Sequence, residues 1–327
     1  MTGARMTASQ EEIARAAAIL RAGGVVAFPT ETVYGLGADG TNEAALLRIF
    51  ALKGRPADHP LIVHLADADQ LSEWARDIPA AAYALAKRFW PGPLTLILRR
   101  RALVSALVTG GQETIGLRVP AHPVALALLR AFGGGVAAPS ANRFGRVSPT
   151  RAEHVRQELG DGPDLILEGG DCPVGVESTI LSLAGDTPVL LRPGDISPAA
   201  LAGVLGQPIG SPEGFSTIRA PGLLASHYAP ATPLWLSDGE ELPTVTASLS
   251  AAGKRVAVMA LSGYKSGTGR TVAMPLEPAA YGRDLYTVIR MLDDGSHDAI
   301  VVERPPRTEP WLAVNDRLRR ASGKHAG

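Results

Sequence analysis

A single cysteine, Cys172, in 327 residues leaves no internal disulfide and no cysteine-built zinc cage, which suits a reducing compartment. An excess of one charge is missing too. Thirty-two Lys and Arg balance 32 Asp and Glu, so no global field draws the chain to nucleic acid or an anionic membrane. Any polyanion must meet a local patch. No run approaches about 18 apolar residues, and residues 1–10 lack an apolar signal core, so a cytoplasmic protein without membrane contact is expected. There is no G-x-x-x-x-G-K-[ST], which excludes a P-loop. The lack of H-E-x-x-H or any clustered His/Asp set argues against a metal held by protein alone.

Glycine and proline, by contrast, are abundant. The 36 glycines and 26 prolines make up about 19% of the chain against an average near 12%, so loops should carry much of the architecture and the function. A hydrophobic fraction of 46% with 20% charged residues is that of a folded chain long enough for two domains. Apolar periodicity predicts helices over 11–22, from an Asn42 cap through 52, and over 80–89, 123–132, 151–159 and 197–205. Strands are expected over 25–28, 61–65, 94–98, 115–119, 136–138, 165–167 and 179–183. This is an α/β domain over 1–205. Residues 206–233 have no apolar period and are rich in Gly, Pro and Ser, the signature of a linker. A second alternation then places strands at 234–236, 255–261 and 299–302 and helices near 240–252, 279–293 and 311–321. It predicts a smaller α/β domain over 234–327.

Polar clusters recur at strand ends. PTETVYGLG (29–37) follows the strand 25–28, at the carboxyl end where open α/β sheets bind ligands, although an ordinary turn built by its threonines explains it equally well. Within it Gly35-Leu36-Gly37 opens a literal G-x-G-x-x-G. That match carries little weight, because the dinucleotide turn must leave its strand directly, whereas six residues intervene here. Lys53 and Arg55 can grip a polyphosphate from two sides, or Lys53 can simply compensate a helix C-terminus. His64, inside a strand, reads first as a satisfied core histidine. In APSAN (138–142) and at Ser148, small hydroxyls and an amide suit phosphate or ribose oxygens. GVEST (175–179) and LRPG (191–194) repeat the pattern, and the four clusters could converge on one crevice. Cys172 reads as a small buried or loop thiol rather than a nucleophile. Arg99-Arg100-Arg101 reads as a solvated strand end, with RNA contact as the alternative.

Taken in order, PTETVYGLG, KGRP…PL, GLRVP, APSAN, GVEST and LRPG resemble the YrdC-like threonylcarbamoyl-AMP synthases. The A-P-G-x-x-x-x-H-Y-x-P string at 220–230 resembles the linker of the long form with a C-terminal domain. The resemblance implies an open, twisted mixed sheet with helices plus a smaller Rossmann-like βα domain. It implies a cytoplasmic nucleotidyltransferase that joins L-threonine, bicarbonate and ATP, with Mg²⁺, into threonylcarbamoyl-AMP and pyrophosphate. The product would pass to a separate tRNA threonylcarbamoyl transferase, and weak tRNA contact is part of the expectation. Carried over by position, Thr32, His64, Arg118, Ala138 and Ser178 take threonine. Lys53, Arg55, His59, Thr114, Ser140, Asn142, Ser148, Arg192 and Tyr228 take ATP, and Lys53, Arg55 and Arg192 form the catalytic set. His59 stands where the family pattern has asparagine, which makes its contact the least secure. His227, Tyr228, Ala229 and Pro230 are expected to close over the site as a lid. Two rival readings are an RNA-binding module and a carbamoyl transferase with another acceptor. Zero net charge weighs against the first, and the lack of an acylphosphatase-like or zinc-finger segment against the second.

Overall fold

The computed structural model of the chain describes residues 8–211, 218–224, 227–267 and 269–323. Ser9 opens helix α1 (Gln10–Arg21) with a capping box, its Oγ accepting from Glu12 N at 3.1 Å and its N donating to Glu12 Oε2 at 2.7 Å. Strand β1 (Val26–Phe28) follows, and after residues 29–34 the chain returns antiparallel as β2 (Gly35–Asp39). Asn42 caps α2 (Glu43–Lys53) by accepting from Ala45 N at 3.1 Å, and Gly54, at φ 61°, ends it in the left-handed conformation that glycine adopts freely. Next come β3 (Ile62–His64), α3 (Leu71–Trp74), β4 (Ala75–Arg76), α4 (Ala80–Phe89), β5 (Leu94–Arg100), α5 (Ala106–Thr109) and β6 (Thr114–Arg118). The domain continues through α6 (Pro123–Phe132), β7 (Val136–Ala137), α7 (Ala152–Leu159), β8 (Leu165–Ile166), β9 (Thr179–Ser182), β10 (Val189–Arg192) and α8 (Pro198–Leu205).

These strands form a mixed sheet in the order β10-β9-β5-β6-β3-β7-β2-β1-β8, with β4 bonded to β5 off that path. Pairs β5/β9, β3/β6 and β1/β8 are parallel, and the others antiparallel. The pairing brings the carboxyl ends of β2, β3, β6 and β10 and the amino ends of β1, β5, β7, β8 and β9 to one edge. Alternation along β1 explains the layers. Val26 and Phe28 pack with α1 and α6, while Val25 and Ala27 pack with α2 and α7. A larger cluster of leucines and valines from β3, β5 and β6 is covered by α4 and α8. Each such side chain, fully buried, contributes about 1.5–3 kcal/mol.

Strand β2 lies where the G-x-G string was read, and the reason is steric. A Cβ on Gly37 would stand 2.6 Å from Phe28 Cε1 and 2.7 Å from Val136 Cγ1, so glycine there makes room for Phe28 rather than for a pyrophosphate.

The chain divides into two compact bodies. One holds Met1–Phe144, Pro149–Pro173 and Glu177–Leu223; the other holds Gly145–Ser148, Val174–Val176 and Leu224–Gly327. In the first, Ala220 is buried in a cluster with Ile62, Ile97 and Ile180, and Ile218 and Leu223 pack against it. The second has β11 (Leu234–Ser237), α9 (Leu242–Ala251), β12 (Val256–Ala260), β13 (Arg270–Ala273), α10 (Pro278–Leu292), β14 (Ala299–Glu303) and α11 (Leu312–Ser322). Its sheet runs β11-β14-β12-β13, parallel throughout, and the inner strands VAVMA and AIVVE are buried at every position, as parallel strands with two covered faces must be. β13 was not expected, because its RTVA is short and partly exposed at the sheet edge. Among the described residues no helix is long and apolar enough to cross a membrane.

Candidate functional site

The loops between the short strands of the first body collect the polar clusters. Beyond β1, Thr30 builds the turn: its Oγ1 donates to Val33 O at 2.6 Å and accepts from Val33 N at 3.2 Å, while the Thr30 and Thr32 hydroxyls lie 2.9 Å apart. This is the turn chemistry read from the threonines, and it also fixes Glu31 and Thr32, which are 5% and 1% exposed.

His64 ends β3 and lies directly across the parallel ladder from Arg118, the last residue of β6. Both are 4% exposed. Arg118 Nη2 meets Glu31 Oε1 at 2.7 Å and donates to Thr32 Oγ1 at 3.0 Å, and Nε donates to Gly92 O at 3.3 Å. Nη1 makes no hydrogen bond among the described residues, so it is the one end of the guanidinium left for a ligand. Glu31 is secured from its other oxygen, Oε2 accepting from Ala121 N at 3.0 Å. Burial first, and the Arg118 charge second, push the His64 imidazole down to about 3, so it is neutral at any ordinary pH. Its Nδ1 is buried without a partner among the described residues.

Ser178, just ahead of β9, is fully buried, with its hydroxyl 2.8 Å from that of Thr95. Arg192, at the end of β10, clamps the same residue: Nη2 donates to Ser178 O at 2.9 Å and to its Oγ at 3.1 Å, and Nε to Ser178 O at 3.1 Å. Arg192 Nη1 donates to Pro221 O at 2.9 Å. Gly194 has no room for a side chain, since a Cβ would come within 2.3 Å of Thr179 N. Ala138 is buried beside β7 with its N donating to Ile62 O at 2.9 Å, and adds apolar wall.

Lys53 does not compensate its own helix. Its Nζ donates to Ser140 O at 2.6 Å and to Asn142 O, while Phe144 N donates to Lys53 O at 2.7 Å, so the lysine is a strut inside the S-x-N loop. Burial, and then the Arg55 charge, hold its pKa well below the usual lysine range. Arg55 donates from Nη2 to Pro60 O at 2.9 Å and lies over the Phe144 ring at 5.5 Å. The His59 ring meets the same phenylalanine edge-on at 5.1 Å, and burial with the Arg55 charge lowers its pKa. Asn142 Nδ2 donates to Arg143 O at 2.8 Å. Thr114 starts β6 and is half-buried. Ser148 and Tyr228 belong to the second body. Ser148 is fully buried, and Tyr228 is 1% exposed at φ 60°.

Two residues that touch those named above went unassigned in the sequence: Glu31 and Thr95. A carboxylate inside PTETVYG and a hydroxyl inside the apolar strand LTLIL were the available signals. The Cys172 thiol is buried and pushed up, as an inert structural cysteine is. The Arg99–Arg101 run is spent locally: Arg99 Nε donates to Ala184 O at 3.4 Å, Arg100 pairs with Glu113 at 2.7 Å, and Arg101 Nη1 donates to Ser72 O at 3.0 Å.

Two family models match. One, Sua5_yciO_yrdC, described as "Telomere recombination", covers residues 18–194; the other, "Threonylcarbamoyl-AMP synthase, C-terminal domain", covers 196–323. A Bacillus subtilis (strain 168) protein named threonylcarbamoyl-AMP synthase is 44% identical over 97% of this chain and 95% of its own length. A Pyrococcus abyssi protein of that name is 41% identical over 94% and 93%. The crystal structure of P. abyssi Sua5 complexed with L-threonine superposes with a TM-score of 0.91 at 39% identity, covering 97% of this chain and 96% of that one.

Proposed function

The chain belongs to the Sua5–YciO–YrdC family, and we propose that it makes threonylcarbamoyl-AMP and pyrophosphate from L-threonine, bicarbonate and Mg-ATP. On this reading it is a cytoplasmic nucleotidyltransferase serving threonylcarbamoyl-adenosine formation in tRNA, and its product goes to a separate tRNA threonylcarbamoyl transferase. One observation carries it: a buried arginine with a single open end, Arg118 Nη1, set beside the Thr32 hydroxyl and a neutral histidine. That is a receptor for a small amino acid bearing a hydroxyl. The carboxylate takes Nη1, and the side-chain hydroxyl finds a donor and acceptor in Thr32 and His64. Ala138 supplies the wall against its methyl, and Ser178, locked by Thr95 and Arg192, is a fixed dipole.

The chemistry asks for position rather than a nucleophile on the protein. The threonine nitrogen attacks the bicarbonate carbon, water leaves, and a carbamate forms. A carbamate oxygen then attacks the α-phosphorus and pyrophosphate departs, with no covalent enzyme intermediate. Arg55 and Arg192, with the Mg²⁺ brought in on ATP, neutralise the developing phosphate charge, while Lys53, the third member of the expected catalytic set, acts by bracing the S-x-N loop. Thr114, Ser140, Asn142 and Ser148 serve the nucleotide, and His59 offers it one hydrogen bond. Carbamate and mixed anhydride both decompose in water, so a closing segment is needed, and the residues 227–230 carrying Tyr228 are its candidate.

The test is pyrophosphate release. L-threonine, bicarbonate and Mg-ATP together should produce it and omission of any one should abolish it. Equal turnover with serine, or without bicarbonate, would sink the assignment.

A further inference from the structure

Inside the second body, the segment that follows Tyr228 and the loop that ends in Ser148 are bonded to each other. Ala229 N donates to Gly145 O at 2.9 Å, and Ala229 forms a parallel bridge with Arg146. Asp293, the residue capping the C-terminus of α10, closes the joint. Its Oδ2 accepts from Ala231 N at 2.8 Å and from Arg146 Nη2 at 3.4 Å, and its Oδ1 accepts from Thr232 N at 2.7 Å. One turn back, Arg290 donates from Nε to Ser148 O at 3.4 Å and from Nη2 to Val147 O.

A carboxylate at the negative end of a helix is electrostatically misplaced, so Asp293 has a reason to be there only in its three donors from outside the helix. Arg290 is correctly placed for its helix, yet its guanidinium reaches the loop carbonyls. Tyr228 adds a separate sign. It is a non-glycine residue at φ 60°, a conformation that persists only where the surroundings over-determine it, and such strain gathers at working sites. The surroundings are in place: Arg317 lies 5.4 Å over its ring, the Tyr286 ring stands 5.9 Å away, and His227 N donates to Arg320 O at 3.1 Å.

We propose that Asp293, supported by Arg290, is a positioning residue for the nucleotide: by gripping the chain on both sides of one joint it holds the Tyr228 segment and the Ser148 loop in fixed register, so that the two meet ATP as one rigid edge. The inference rests on the reading that Ser148 and Tyr228 contact ATP. It also gives the C-terminal domain a task in the reaction, that of splinting these two strips of chain.

Asp293→Asn keeps the shape but turns one acceptor oxygen into an amide that cannot accept from Ala231 or Arg146. The expected result is a KM for ATP raised about ten-fold with the KM for threonine within two-fold of wild type, because a lost charge-assisted contact acts only through the nucleotide edge. A folded variant with both KM values unchanged overturns the proposal, as does an equal rise in both. Should the variant not fold, amide exchange on the wild-type protein decides. An ATP analogue uncleavable between the α- and β-phosphates should slow exchange at Ala231 and Thr232 together with residues 145–148, and protection of only one strip refutes the coupling. If the wild-type protein protects both strips yet releases no pyrophosphate, the positioning stands and the proposed reaction falls.

Discussion

Three polar groups hold the Arg118 guanidinium at Nε and Nη2, so on the proposed reading threonine would meet a preoriented donor at Nη1 rather than a freely rotating fork. Replacing Arg118 by alanine removes a charge-assisted contact of about 1.5–3 kcal/mol, so threonine affinity should fall ten-fold or more while ATP affinity changes far less. The same change strands Glu31 at 5% exposure, and loss of one partner of a buried pair costs about 3–5 kcal/mol, so the variant should also denature earlier. Calorimetry that found threonine affinity intact would remove the carboxylate role. His64 adds a pH signature. Its folded pKa is about 3, against about 6.5 unfolded, so between those values the unfolded chain binds the extra proton. Stability is therefore complete above pH 6.5 and declines by up to about 1.4 kcal/mol per unit as the pH falls toward 3. His122, also lowered by burial, contributes in the same direction. Denaturant midpoints across this window should slope less for His64→Gln than for wild type; identical slopes would mean that His64 is not held neutral.

At the scale of elements, long periodic stretches were legible and short or glycine-bearing ones were not. The helices at 80–89 and 123–132 were placed to the residue, because an apolar stripe and a local cap are properties of ten neighbouring residues. Asn42 was legible as a cap for the same reason, accepting from a backbone N–H three residues on, whereas Ser197, read as the first residue of its helix, is the cap before it. β2 escaped notice: GLGAD has neither alternation nor β-branched residues, and it is a strand only because β1 and β7 bond it on both sides. The short helices α3 and α5 carry too few residues for a period to show. Within the site, sequence named the residue types and the loops, whereas the role of Lys53 as a strut needed the fold. Its carbonyl partners lie 87 and 89 residues away in the chain.

For the whole molecule, the linker read as one stretch over 206–233 is shared between the two bodies, up to Leu223 with the first and from Leu224 with the second. A cut before Gly206 strips Ile218, Ala220 and Leu223 from an apolar cluster and takes the Pro221 carbonyl from Arg192. Apolar losses of this kind cost about 2–5 kcal/mol per large side chain. A chain ending after Leu223 should thus unfold cooperatively at a higher denaturant midpoint than one ending before Gly206, and both should make little threonylcarbamoyl-AMP. A fragment ending after Leu223 with undiminished synthesis would show that Tyr228 and the C-terminal domain are dispensable to the reaction. The sequence by itself determined what is local or compositional: two α/β regions, polar strand ends, caps, a Gly- and Pro-rich connection and an ordered set of motifs. Tertiary structure alone decided which groups meet, namely Glu31 with Arg118, Thr95 with Ser178, and Asp293 with Arg146 and the backbone at 231–232. The physical reason is range. Hydrogen-bonded caps and apolar periods involve residues a few positions apart, whereas a buried charge finds its partner only after the fold has carried segments many tens of residues apart into contact.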